Sequence, residues 1–442
     1  MFKRKIYDKL VAWKNNSGGK TALLIEGARR IGKSTIAEAF ARQEYESYIL
    51  IDFSIASNTV KALFDDISDL NYFFLQLQLL FKKDLKERKS LIIFDEVQFF
   101  PAARQAIKHL VKDGRYDYLE TGSLISIKKN VKNILIPSEE RRISMYPMDY
   151  EEFLWAIGDS TTIPLIKKCF EARKPIGEQL NRKLLRDFRL YMLVGGMPQA
   201  VNEYIETNNF RKVDLIKRDI LALYEEDFRK FDPSGRASAL FDAIPAFLAK
   251  NASRFHTTGV LRNARTDRLP EIIAEMENSK TVLISYHADD PNVGLSATEN
   301  LRAYKMYICD TGLFVTLMFK DRDFTENVIY EKLLNDKLSA DLGYLYENAV
   351  AQILAANGNK LFYYTFYNES SRHHYEIDFL LARKNKICPV EVKSSGYKTH
   401  ISMDKFFEKY SSRVLQKYLI YPKDLAKDTD TLCVPIYMTQ FL

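Results

Sequence analysis

Cysteine is scarce in this chain. Only four occur among 442 residues (Cys169, Cys309, Cys388 and Cys433), scattered and without a C-x-x-C pair. That spacing excludes a disulfide framework and a cysteine-based zinc site, and it predicts a protein of the reducing cytoplasm. No apolar run is long enough to span a bilayer, and the N-terminus lacks a signal-type hydrophobic segment, so no membrane partner is expected. Internal repeats and low-complexity tracts are also missing, which excludes repeat architectures and compositionally driven disorder. Neither charge sign dominates: the net charge of +7 tolerates a polyanionic partner without demanding one. What is present is 46% hydrophobic and 13% aromatic residues, the composition of packed globular domains, in a chain too long for one ordinary core. The opening MFKRKIYDKLVAWKNN is basic and amphipathic, and reads as a helix packed on the first domain.

The most informative stretch is TALLIEGARRIGKST, Thr21 to Thr35. Its pattern predicts a buried strand to Glu26, a glycine-rich loop, and a helix opening at about Lys33. Gly27-Ala28-Arg29-Arg30-Ile31-Gly32-Lys33-Ser34, followed by Thr35, satisfies G-x-x-x-x-G-K-[ST] at every required position. The two glycines let successive backbone N–H groups turn inward around a phosphate. The helix N-terminus adds its unsatisfied donors and dipole. Lys33 is expected to reach the β- and γ-phosphates of ATP, and the Ser34 hydroxyl to ligate Mg²⁺.

An α/β alternation continues from there. Strands are predicted at Ser47 to Phe53 and at Ser90 to Glu96, with a helical stretch from Asn58 to Lys86 between them. Four apolar residues ending in Asp95-Glu96 form the pattern of a central parallel strand that delivers carboxylates to its C-terminal edge. Asp95 is expected to hold the Mg²⁺ shell and Glu96 to polarise the attacking water. A further strand, Asp117 to Glu120, ends in Thr121-Gly122-Ser123; Ser123 is a candidate γ-phosphate sensor, and a plain turn fits the spacing equally well. Arg141 or Arg142 could act as an arginine finger, a solvated charge run being the alternative.

GARRIGKST, LIIFDEVQ, TGS and YPMDYEEFL together resemble the AAA+-type ATPase domain of a large prokaryotic family, in which a C-terminal domain of unknown function follows the ATPase. Leu193-Val194-Gly195-Gly196-Met197-Pro198, Ile308-Cys309-Asp310-Thr311-Gly312-Leu313 and GYLYENAVA from Gly343 are similar to further elements of that family. The resemblance therefore covers nearly the whole chain. It departs where the family carries Gly-Arg and this chain has Glu140-Arg141-Arg142. A homo-oligomer is compatible with the resemblance.

The middle of the chain is helical. Helices near Ser238–Lys250 and Leu269–Ser279, then strands at Thr281 to His287 and Arg302 to Cys309, follow the order of a winged helix, with Arg254, Arg262, Arg265 and Arg268 ahead of the second helix. Such a module contacts DNA or serves as a protein-interaction or lid element. In the last module, Glu347 lies on a predicted helix, Asp378 at the start of a strand, and Glu391 and Lys393 on one face of the strand ICPVEVK. Asp378 and Glu391 are candidate Mg²⁺ ligands, Glu347 a helper through a second metal or its water, and Lys393 a group that activates water or stabilises phosphorane charge. The order helix Glu, strand Asp, strand Glu-x-Lys resembles the PD-(D/E)XK nuclease superfamily, which implies a restriction-endonuclease-like fold.

The expected architecture is α/β: a P-loop AAA+-like parallel-sheet domain at 1–160, a helical segment at 161–235, a winged-helix-like domain at 236–325, and a nuclease-like domain at 326–442. The expected activity is ATP hydrolysis coupled to action on DNA or RNA. The alternative is an ATP-dependent signalling or scaffold switch whose nuclease-like module is silent.

Overall fold

The computed structural model describes residues 1–122, 138–250, 268–322, 325–335, 343–367, 374–394 and 400–442. Ser123, Arg254, Arg262 and Arg265 lie outside the described residues. The chain forms two compact units, Met1–Tyr146 with Asn278–Lys280, and Pro147–Glu277 with Thr281–Leu442.

The first unit is built on five parallel strands: β1 (Ala22–Glu26), β2 (Ser47–Asp52), β3 (Ser90–Asp95), β4 (Asp117–Gly122) and β5 (Glu140–Ser144), in the order β2-β3-β4-β1-β5. Every residue of β1, β3 and β4 is buried. Parallel strands need helical crossovers that cover both faces, which is why these segments read as unbroken apolar runs. One face packs on helices Leu70–Phe81 and Pro101–Asp113, through a core that includes Leu24, Ile51, Phe73, Phe94, Ile107 and Tyr118. Helix Lys33–Glu44 brings Phe40 against Tyr7 and Trp13 of the N-terminal helix Ile6–Ser17, with ring centroids 5.8 and 6.5 Å apart. The helical stretch expected from Asn58 to Lys86 holds two helices, Asn58–Ala62 and Leu70–Phe81. Asp69 caps the second by accepting from the N–H groups of Asn71 and Tyr72, and Lys82 ends it in the left-handed conformation.

The second unit opens at a capping box, with Asp149 and Glu152 bonding reciprocally at the start of helix Tyr150–Ala156. Helices follow, including Glu178–Val194, Phe210–Phe231, Arg236–Ala249 and Leu269–Asn278. The hairpin expected as a wing is present as β6 (Val282–Ala288) and β7 (Glu299–Ile308). It does not stand alone: β6 pairs in parallel with β8 (Leu361–Tyr367), which pairs with β9 (His374–Ile377). One sheet, β7-β6-β8-β9, thus crosses the boundary expected at 325. A second, mixed sheet follows the order β10 (Phe379–Arg383), β11 (Lys386–Val392), β12 (Lys417–Tyr421), β14 (Thr431–Pro435), β13 (Ala426–Asp428).

Two motifs singled out in the sequence meet inside this unit. Asp310 caps helix Thr311–Met318 by accepting from the Leu313 N–H at 2.9 Å, and it also accepts from the Gly196 N–H at 2.5 Å. Beneath them, the fully buried Lys217 donates to the Leu193 carbonyl and to the Tyr330 hydroxyl. Burial pushes its ammonium down to about 8 against the opposing pull of Asp214 and Asp310.

Candidate nucleotide site and a second charged cluster

The glycine-rich loop runs from the end of β1 into helix Lys33–Glu44. Gly27 is demanded by close approach, because a Cβ there would lie 2.4 Å from the Met145 carbonyl oxygen. Gly32, with φ of 94°, is the helix N-cap, a conformation that a side chain would strain. Arg30 is also left-handed at φ of 68°. Ala28 and Ile31 are buried, Arg29 is half-buried, and Arg30 and Thr35 are exposed. Lys33 folds back into the loop, donating to the Gly27 and Ala28 carbonyls at 3.1 and 2.9 Å. Its ammonium thus sits inside the turn of backbone that the motif dedicates to phosphate.

The loop is braced by a residue that the sequence pattern did not flag. The Arg4 guanidinium donates to the Ile31 carbonyl at 2.9 Å and to the Tyr146 carbonyl at 2.7 Å. The N-terminal segment therefore steadies the phosphate loop as well as covering the core. No local motif announces this, since a basic residue before a helix is ordinary.

Asp95 ends β3, as the run of apolar residues predicts. Ser34 donates to its Oδ1 at 2.7 Å, and the Thr121 hydroxyl at the end of β4 donates to the same oxygen. Glu96 follows in the left-handed conformation at φ of 51°, its N–H 3.3 Å from Thr121 Oγ1 and its carboxylate bonded by the Gln98 amide. A non-glycine residue in that region is strained, and such strain gathers at functional sites. Because β4 lies between β1 and β3, Thr121 is the hydroxyl brought to the acid, two positions before the serine singled out in the sequence.

Arg104 and Glu120 also escaped the sequence reading, and Glu140 was noted there only within a charged run. Glu140 on β5 is clasped by Arg104 through two bonds of 2.9 and 2.8 Å, both side chains being almost fully buried. Arg142 adds a bond of 2.8 Å to the same carboxylate. Glu120 is fully buried beside Glu140. Burial first, and the Glu140 charge second, hold its carboxyl well above the usual range. The stretch left open as a charge run is thus an edge strand, with Arg141 and Arg142 exposed on it.

The donor set fits a magnesium nucleotide. Mg²⁺ at a phosphate loop takes a hydroxyl and a carboxylate from the protein and completes its octahedron with water and phosphate oxygens, and Ser34 and Asp95 already share a hydrogen bond.

The candidate residues of the second unit also converge. Lys393 and Glu391 form an ion pair of 2.7 Å. Asp378, between β9 and β10, accepts from the Val392 N–H at 2.7 Å. Burial, with Glu347 next in weight, raises its carboxyl well above the ordinary value, while Lys305 pulls it down. Glu347, on helix Gly343–Ala356, accepts from the Tyr307 hydroxyl at 2.6 Å and from Lys305 at 2.9 Å. Lys305 also bonds Glu376. The sequence reading missed Lys305, Tyr307 and Glu376. Among the described residues no group of three or more His, Cys, Asp or Glu side chains is arranged to hold an ion.

Comparison with known proteins agrees with this division. Residues 19–154 match a family model described as an AAA domain. Residues 185–323 and 342–440 match two domains of unknown function, DUF8612 and DUF4143. An uncharacterized protein of Haemophilus influenzae is 21% identical over 393 residues, which is 85% of this chain and 89% of the relative. Among solved structures, a Walker-type ATPase of Pyrococcus abyssi is 17% identical with a TM-score of 0.43, over 72% of this chain and 96% of that one. The Aeropyrum pernix ORC1 protein, solved in complex with DNA, is 11% identical with a TM-score of 0.28, over 76% and 93%. Among the described residues no helix is long and apolar enough to cross a membrane. With its parallel sheet and phosphate loop, the first unit is similar to AAA domains over residues 19–154.

Proposed function

We propose that the chain binds and hydrolyses ATP at the first unit and uses the nucleotide state to control the second. The observation that carries this reading is the 2.7 Å bond from Ser34 to Asp95 across 61 positions of sequence. It joins the two residue types that a phosphate loop needs for its metal. In this reading Lys33 leaves the Gly27 and Ala28 carbonyls to meet the β- and γ-phosphates, and the loop N–H groups from Gly27 to Thr35 cradle them. Mg²⁺, held by Ser34 and Asp95, supplies charge neutralisation on the phosphates. Glu96 accepts a proton from the attacking water, oriented by its bonds to Gln98 and Thr121. In this reading Arg141, exposed on an edge strand, is the candidate finger toward a neighbouring copy, whereas Arg142 is bonded to Glu140.

The test is ATP turnover and nucleotide binding by the purified full chain. Lys33→Ala is expected to lose binding, and Glu96→Gln to bind ATP while losing turnover by at least about a hundredfold. Normal turnover in both variants would sink the assignment. For the second unit, the nuclease-like reading requires metal at Glu347, Asp378 and Glu391 to cut DNA or RNA. The reading as a silent, ATP-controlled binding module is favoured by one observation, the buried Lys305 ammonium paired with Glu347 and Glu376.

A further inference from the structure

Lys305 sits in the middle of a strand where it has no obvious reason to be. The C-terminal half of β7 runs Tyr304-Lys305-Met306-Tyr307-Ile308, all buried. An ammonium placed there loses its hydration, a cost met only by close anionic partners. Lys305 has them: Glu347 at 2.9 Å, Glu376 in direct hydrogen bond, and Asp378 close enough to act on it through charge. Its side chain is only 5% exposed.

Other donors of the chain also bond the cluster, although Glu391 Oε2 is buried without a hydrogen-bond partner among the described residues. Tyr307, on the same face of β7 two residues on, donates to the Glu347 oxygen that Lys305 bonds. The Val392 N–H takes Asp378, and Lys393 takes Glu391. A hard divalent ion needs several carboxylate oxygens turned toward one point at about 2.0–2.6 Å. Here one oxygen of each expected ligand is instead bonded to a protein donor.

We propose that the Lys305 ammonium is the resident cation of this cluster, standing where the nuclease-like reading places a divalent metal, so that this half of the chain takes up no metal there and carries out no metal-dependent phosphodiester cleavage. The consequence is architectural. Lys305 belongs to the segment 185–323 that matches one domain of unknown function, while Glu347, Glu376 and Asp378 belong to the segment 342–440 that matches the other. The cluster is the ionic joint between them, reinforcing the pairing of β6 with β8. It does not depend on the ATP reading, because every residue lies in the second unit.

The experiment is Mn²⁺ uptake, read as loss of the free-ion electron paramagnetic resonance signal, on the nucleotide-free full chain. An Asp95→Asn background removes the phosphate-loop ligand. With Lys305 intact, no saturable uptake is expected. Stoichiometric uptake that vanishes on Asp378→Asn would overturn the proposal. In parallel, thermal midpoints are compared in EDTA and in Mn²⁺. The Lys305-intact chain is expected to be indifferent to the change. Lys305→Met is expected to melt lower in EDTA and to regain part of the loss in Mn²⁺, since its three freed carboxylates can then share an ion. The double variant Lys305→Met/Glu376→Gln should recover part of the loss without metal. A Lys305→Met chain as stable as its parent, or one that Mn²⁺ leaves unchanged, would count against the resident-cation role. Should that variant fail to fold, the uptake measurement on the Lys305-intact chain decides alone.

Discussion

Gly195 and Gly312 meet backbone against backbone. A Cβ on Gly195 would lie 2.9 Å from Gly312 Cα and 2.4 Å from Asp310 Oδ1, and a Cβ on Gly312 would lie 2.6 Å from Gly195 Cα. The Gly-Gly-Met-Pro and Asp-Thr-Gly-Leu motifs are therefore two halves of one junction. Its geometry is what allows Asp310 to cap a helix and hold the Gly196 N–H at once.

Gly195 also has φ of 85° and ψ of −176°, a region that only glycine enters readily. Gly195→Ala is expected to cost about 2–5 kcal/mol, from backbone strain plus overpacking. Gly235→Ala, at φ of 78° with open space around it, should cost only about 1–2 kcal/mol. Urea unfolding followed by fluorescence of the second unit compares the two. Equal losses would show that the close approach is not what Gly195 provides.

Thr121 is a positioning residue for Asp95 and Glu96. Thr121→Val keeps the shape and removes the hydroxyl that serves both. With the ATPase reading, turnover should fall by roughly tenfold to a hundredfold, the worth of a hydrogen bond to a charged group, while nucleotide affinity stays within a few-fold of the parent. Steady-state kinetics beside direct nucleotide binding separates the two effects. A loss of affinity as deep as that of Lys33→Ala would place Thr121 in binding instead.

Glu120 gives a pH signature. Its folded-state pKa is raised, so above the unfolded carboxyl pKa of about 4.3 the native chain keeps a proton that the unfolded chain releases. Stability from this group is therefore present at low pH and is lost as pH climbs from about 4.3 toward the raised folded value. Glu120→Gln, which cannot ionise, should gain on the parent steadily between about pH 4.3 and 7. Arg104→Met goes the other way at neutral pH. It leaves the buried Glu140 without its two-pronged partner, at about 3–5 kcal/mol. Unfolding curves of the three proteins at several pH values test both signs, and a pH-independent gap between Glu120→Gln and parent would mean that Glu120 is ionised.

How much of this was legible follows from where each feature's partners lie. The phosphate loop could be read from sequence because its conformation, donors and lysine all fall within eight consecutive residues. Strands β1 and β3 were equally plain, since burial on both faces leaves an apolar run that nothing else explains. Strand β5 was not. It is an edge strand of charged residues, and what makes it a strand, its pairing with β1 more than a hundred positions earlier, has no local mark. Asp378, Glu391 and Lys393 were found as residues, and alternation along β11 correctly paired the last two. The Lys305 that pairs with neighbouring Glu347 and Glu376 was not legible, because it arrives on a hairpin read as a separate wing. The sequence by itself determined the glycine-rich loop between strand and helix, the parallel sheet and the stock of acids near the C-terminus. The tertiary structure alone decided that Arg4 braces the loop, that Thr121 holds Asp95, and that Lys305 fills the acidic cluster. Short-range conformational preference can be read along the chain, whereas charge compensation in a buried place depends on which distant segment packs there.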